Sequence, residues 1–168
     1  MKQLKTFLSK YGLHSFLLPV FFVLHSYQQY YGLVSSATAI SVLIKILLIF
    51  SIFTLVIFAF NRNANKSFQL TTLLGVIILF YGVIKEFFQF TLHAPQISRY
   101  LILLPLTFIV TVILIIYILK KKDFRKSNLF QNTLLLVFIF ADSAILFTSS
   151  NSLFLQRNTL AKNTHLSL

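Results

Sequence analysis

"AISVLIKILLIFSIFTLVIFAF" (39–60) holds a single charge, Lys45, in 22 residues. A helix needs about 20 predominantly apolar residues to cross a hydrocarbon core ~30 Å thick. Many residues here are β-branched or aromatic, which in water favours strand. Lipid offers the backbone no hydrogen-bond partners, so a spanning segment must satisfy its own N–H and C=O groups, and helix overrides propensity. A membrane-barrel strand would be ~10 residues long and alternate in polarity. This stretch does neither.

Four more apolar runs flank it: "LHSFLLPVFFVLHSYQQYY" (13–31), "FQLTTLLGVIILFYGVIKEFFQF" (68–90), "YLILLPLTFIVTVILIIYIL" (100–119) and "LFQNTLLLVFIFADSAILF" (129–147). The sequence therefore predicts an all-α integral membrane bundle of about five transmembrane helices over 1–147. A polar extracytoplasmic tail follows over 148–168. Composition agrees: of 168 residues, 57% are hydrophobic and 11% charged, with mean hydropathy +0.84. A soluble domain carries about a quarter charged residues. The net charge of +12 would suggest nucleic acid in a soluble fold. Here most cations lie between apolar runs, where they fix orientation and meet anionic headgroups, so no nucleic-acid partner is expected.

Counting Lys and Arg gives the orientation. Lys2, Lys5, Lys10, Arg62, Lys66, Lys120, Lys121, Lys122, Arg125 and Lys126 fall on one side, against Arg99, Arg157 and Lys162 on the other. The positive-inside rule then predicts a cytoplasmic N-terminus and an external C-terminus. Tyr27, Tyr30 and Tyr31 fall at the outer interface, where aromatic belts form.

Charged groups inside spans are costly and face protein or water. His25, Lys45, Lys85, Glu86 and Asp142 form the candidate intramembrane polar cluster. Threading the spans alternately through the bilayer puts all five in the outer half, level to within one or two helical turns. Adjacent residues on a helix point about 100° apart, so Lys85 and Glu86 cannot serve one partner equally. Glu86 is expected to pair with Lys45, and Asp142 with Lys45 or Lys85. Three uses stay open: pairs that set helix register, an outward pocket for a lipid headgroup or docked domain, and a proton or ion relay. The inner halves of the spans carry no charge to continue a relay.

Familiar chemistries find no footing. The chain has no cysteine, which excludes disulfides and thiolate sites. His14 and His25 share the run 13–31 but stand eleven residues apart, and His93 and His165 lie elsewhere, so no metal-ligand spacing occurs. No GxSxG elbow or glycine-rich phosphate loop occurs. No catalytic residue, cofactor or metal is expected. Gly75 and Gly82, seven apart, are expected to serve helix packing, and Pro19 and Pro105 to kink their spans.

"YGLHSFLLPVFFVLHSY" (11–27), "LFYGVIKEFF" (79–88), "SRYLILLPL" (98–106) and "KKKDFRKSNLF" (120–130) together resemble the N-terminal membrane region of bacterial sulfatase-like hydrolase/transferase proteins of the alkaline-phosphatase-like superfamily. The resemblance covers about 11–147. It implies a multi-pass anchor in the bacterial inner membrane that presents a large extracytoplasmic metal-dependent catalytic domain. That domain, with its acidic metal ligands and Ser or Thr nucleophile, is absent from this chain, so no residue inherits a catalytic role. The implied partners are the lipid bilayer and an extracytoplasmic hydrolase domain, attached or separate. The competing expectation is a small polytopic subunit that binds a partner or passes a solute.

Overall fold

The computed structural model describes residues 2–91, 93, 96, 97 and 99–165, with the backbone alone for Lys2, Leu4 and 149–165. These residues form six α-helices: α1 (Lys2–Lys10), α2 (His14–Gln29), α3 (Ser36–Asn61), α4 (Ala64–Glu86), α5 (Tyr100–Lys120) and α6 (Arg125–His165). A π-helical turn, Phe87–Thr91, extends α4. No strand occurs among the described residues.

Local chemistry sets the helix ends. Ser35 caps α3 by accepting from the Thr38 N–H at 3.1 Å. Asn63 caps α4 by accepting from the Lys66 N–H at 3.2 Å. Arg62, left-handed at φ 49°, ends α3 with its N–H on Phe58 O. Together Arg62 and Asn63 reverse the chain between two antiparallel helices. Asp123 accepts from the Arg125 N–H at 2.9 Å as α6 begins. Gly32 sits at φ +88° in the turn between α2 and α3, a conformation that L side chains rarely adopt.

Among the described residues, four helices are long and apolar enough to cross a membrane: α3, α4 with its π turn, α5 and the Arg125–Thr148 part of α6. The fifth expected span, 13–31, yields α2, a helix of only 16 residues, about 24 Å long at 1.5 Å per residue. The C-terminal part of that run is spent on the Tyr30–Val34 turn, where Leu33 and Val34 N–H groups both bond Tyr30 O. Residues 2–10, expected as a basic flank, form the separate helix α1.

Short as it is, α2 occupies the centre, in contact with α3, α4 and α6. It runs parallel to α6: His14 meets Asn128 near their starts and His25 meets Asp142 further on. α5 lies outside, with α4 as its neighbouring helix, and α1 docks on α6. In the middle, Leu18, Phe50 and Leu135 form an apolar core with Leu17, Phe21, Ile46, Leu79 and Phe80 around it. The outside is more apolar than much of the inside: Leu101 is 88%, Leu33 85% and Phe60 83% exposed. Such a surface suits lipid and would aggregate in water.

The segments carrying most of the cations converge at one end. Lys66 Nζ donates to Leu119 O at 2.7 Å, tying the start of α4 to the end of α5. Asn128 Nδ2 reaches Asn65 Oδ1 at 3.3 Å, tying the start of α6 to the start of α4. Asn132 Nδ2 donates to Leu8 O, tying α6 to the end of α1. We call this the basic end.

Candidate functional site

The α2–α6 seam has one polar cluster toward each end and an apolar plug between them. On α2 the seam residues are His14, Leu18, Phe21 and His25, spaced four, three and four apart, which keeps them on one helical face. On α6 they are Asn128, Asn132, Leu135, Phe138 and Asp142, spaced four, three, three and four apart, again on one face.

Of the five sequence-predicted residues, the structure joins two. His25 Nδ1 lies 3.2 Å from Asp142 Oδ2 and 3.4 Å from Oδ1. His25 Nε2 lies 3.1 Å from Gln29 Nε2 one turn further along α2. An amide nitrogen only donates, so Nε2 accepts from Gln29 and Nδ1–H donates to the carboxylate. The His25 side chain is 41% exposed and that of Asp142 only 10%. Asp142 is thus the buried anchor and His25 the rim. The pair ties α2 to α6 at one level.

The other three go elsewhere. Lys85 Nζ donates to the Tyr100 hydroxyl at 3.3 Å and lies 4.3 Å from the centre of its ring. That cation–π contact joins α4 to α5 in place of an ion pair. Tyr81 stacks on Tyr100 at 6.3 Å. Lys45 and Glu86 are exposed. Neither the expected Glu86–Lys45 pair nor an Asp142 pair with Lys45 or Lys85 forms among the described residues. The reason is angular: α3 and α4 direct Lys45 and Glu86 outward, and His25 already holds Asp142.

A larger cluster, which sequence reasoning missed, sits toward the basic end. His14, Ser15, Ser67, Asn128 and Asn132 are completely buried or within 1% of it. The Thr72 hydroxyl donates to Phe68 O at 2.9 Å, so it accepts from His14 Nδ1–H at 2.7 Å. That fixes the tautomer and leaves His14 Nε2 to accept from Gln69 Nε2 at 3.0 Å. The Gln69 amide also faces Asn128 Oδ1 and Gln131 Oε1, each at 2.9 Å. The 3.3 Å approach of His14 Nε2 to Asn128 Oδ1 is then two acceptors held near one donor amide.

The same cluster clamps α1. The last carbonyls of a helix have no partner within it. Asn132 Nδ2 donates to Leu8 O at 2.7 Å and Tyr11 O at 2.8 Å, and Asn128 Nδ2 approaches Ser9 O at 3.5 Å. Gly12 makes the break between α1 and α2 fit, because a Cβ there would stand 2.5 Å from Phe68 Cβ. The sequence did hold a signal: His14–Ser15, Gln69–Thr72 and Asn128–Gln131–Asn132 are polar groups at helical spacing near the starts of three apolar runs.

Between the clusters, Phe21 stacks on Phe80 at 6.3 Å and tilts against Phe138 at 5.4 Å. The described residues contain no group of three or more His, Cys, Asp or Glu able to hold a metal. Compared with protein-family profiles, curated proteins and solved structures, the chain matches none.

Proposed function

We propose that this chain is a membrane-anchoring helical domain, N-terminus in and C-terminus out, that presents an extracytoplasmic domain of the sulfatase-like hydrolase/transferase kind in a bacterial inner membrane. In this reading α2 completes the bilayer crossing as a fifth, short span, held against α6 by its two polar clusters. The chain contributes no catalytic group. His25 and Asp142 set the register of α2 and α6 near the outer face.

The observation that carries this reading is the course of α6. It runs on from Thr148 to His165 without a break, about 25 Å past the apolar span at 1.5 Å per residue. A continuous helix leaving the bilayer is a stiff support for whatever it holds. The basic segments gathered at one end of the bundle support the orientation.

The solute-passing alternative finds less support. Among the described residues the two polar clusters are separated by Leu18, Leu135 and the Phe21–Phe80–Phe138 group. A cleft of about 320 Å³ beside Phe16, Leu55, Phe58 and Phe68 includes Ser51, Thr54 and Ser67. Their hydroxyls donate to Leu47 O, Phe50 O and Asn63 O, so each spends its proton on its own helix or cap.

Reporter fusion tests the anchor. Alkaline phosphatase joined after Leu168 is expected to be active and a green fluorescent protein there to be dark. Inactive phosphatase with a bright fluorescent fusion overturns the reading.

A further inference from the structure

We propose that the basic end is a binding surface for anionic phospholipid, organised by α1 lying in the plane of the membrane. Nothing in it depends on the anchoring role; it needs only that the long helices cross a bilayer.

α1 has the pattern of an interfacial helix. Phe7, Leu8 and Tyr11 recur at helical spacing and define one face, with Lys5 and Ser9 opposite and Lys10 at its edge, its Nζ 5.4 Å from the centre of the Tyr11 ring. Leu8 is buried on the bundle, whereas Phe7 is 49% and Tyr11 43% exposed, with their rings in contact at 5.1 Å. Nine residues are too few to cross a bilayer and too few to be a stable isolated helix. α1 is held instead by the Asn128 and Asn132 amides on its last carbonyls. That clamp places it where the spanning helices begin or end, at headgroup level.

Charge then chooses the occupant. Asn128 reaches Ser9 O and Asn65 Oδ1, so the neighbours in sequence, Lys10 and Lys66, come to the same place as Arg125 and Lys126 at the start of α6. Lys10, Arg125 and Lys126 are exposed. The one acid in these segments is Asp123, whose Oδ1 is engaged by the Arg125 N–H. Exposed aromatic rings beside exposed cations at headgroup depth match a lipid with a phosphate charge above and acyl chains beside it. Each Lys or Arg near an anionic surface strengthens that attraction. A soluble acidic protein would match the cations but leave Phe7 and Tyr11 in water.

The chain has no tryptophan, so Phe7→Trp places a single, selectively excitable indole on the proposed lipid-facing side. The full-length variant is reconstituted in nanodiscs of phosphatidylglycerol or phosphatidylcholine, with or without brominated acyl chains. In phosphatidylglycerol, brominated chains are expected to quench the indole emission of Phe7→Trp about twofold or more, as befits a ring at the depth of an interfacial helix. Lys10→Gln with Arg125→Gln, or roughly 0.5 M salt, is expected to weaken that quenching toward its value in phosphatidylcholine, because salt screens surface charge. Lys45→Gln should leave it unchanged. Emission of a water-exposed indole, unquenched in either lipid, overturns the proposal. So does equal quenching in both lipids, because depth without charge dependence would make α1 a plain apolar contact. Native mass spectrometry of the unaltered chain gives a second reading: phosphatidylglycerol retained over phosphatidylcholine supports the site, and no preference refutes it.

Discussion

Asn128→Leu is expected to destabilise the bundle by about 2–3 kcal/mol. The residue, on α6, is 1% exposed and bonds groups from α1 and α4 at once. Its Nδ2 approaches Ser9 O and Asn65 Oδ1, and its Oδ1 takes the Gln69 amide. One interhelical hydrogen bond in a membrane bundle is worth only ~0.6 kcal/mol on average, because the separated helices find other partners. Three lost together reach about 2 kcal/mol, and part-buried acceptors left without a donor add to that. Leucine supplies similar bulk, so a cavity is not the cause. The check is unfolding of the purified protein in mixed micelles. A loss below about 0.5 kcal/mol, within the range of ordinary surface changes, would mean that Asn128 does not hold the three helices.

Gly75→Val is expected to cost about as much, ~3 kcal/mol, for the opposite reason. A Cβ at 75 would stand 2.5 Å from Phe50 Cε1, 2.6 Å from its Cζ and 3.1 Å from Leu18 Cδ2. Phe50 and Leu18 are themselves core residues, packed with Leu135, Ile46 and Leu79, so the ring can yield only by leaving those contacts for the cleft of about 180 Å³ that it lines beside Gly75. Overfilling a tight core forces side chains off their rotamers and parts the backbones. Gly82 serves as the control. The sequence reading gave both glycines a packing role, yet a Cβ at 82 meets nothing within 4 Å. Gly82→Val should therefore be neutral or slightly stabilising, since glycine is the poorer helix former. Equal losses at both positions, measured in the same micelles, would contradict this packing of α4 on α2 and α3.

Particular residues show how far the sequence could be read. Apolar runs 39–60, 68–90 and 100–119 became α3, α4 with its π turn, and α5, each within a few residues. Helices start before their runs because Ser35, Asn63 and Asp123 lie outside the apolar stretch and cap the next helix. Hydropathy marks a thickness of oil; caps mark where the backbone turns. The 13–31 run exceeded its helix because Gly32 and the Tyr30 carbonyl build a turn that hydropathy does not register.

Partners were harder to read. Matching depth brought His25 and Asp142 into one layer, and they do meet. Depth says nothing about which way a side chain points, so Lys45 and Glu86 face outward instead of toward each other. Lys85 found an aromatic ring, a partner that counting charges cannot supply. The buried amides around His14 escaped notice because they are neutral, and a search for charge passes over them. In a bundle whose outside faces oil, the polar interior is where helices recognise one another.

The most direct measurement uses the absence of cysteine. Gln3→Cys and Asn158→Cys each give a single thiol, labelled in sealed right-side-out vesicles by a membrane-impermeant maleimide and again after lysis. Five crossings, with α2 as the fifth, predict labelling at 158 from outside and at 3 only after lysis. Both positions reacting on the same side would mean an even number of crossings and would contradict the account.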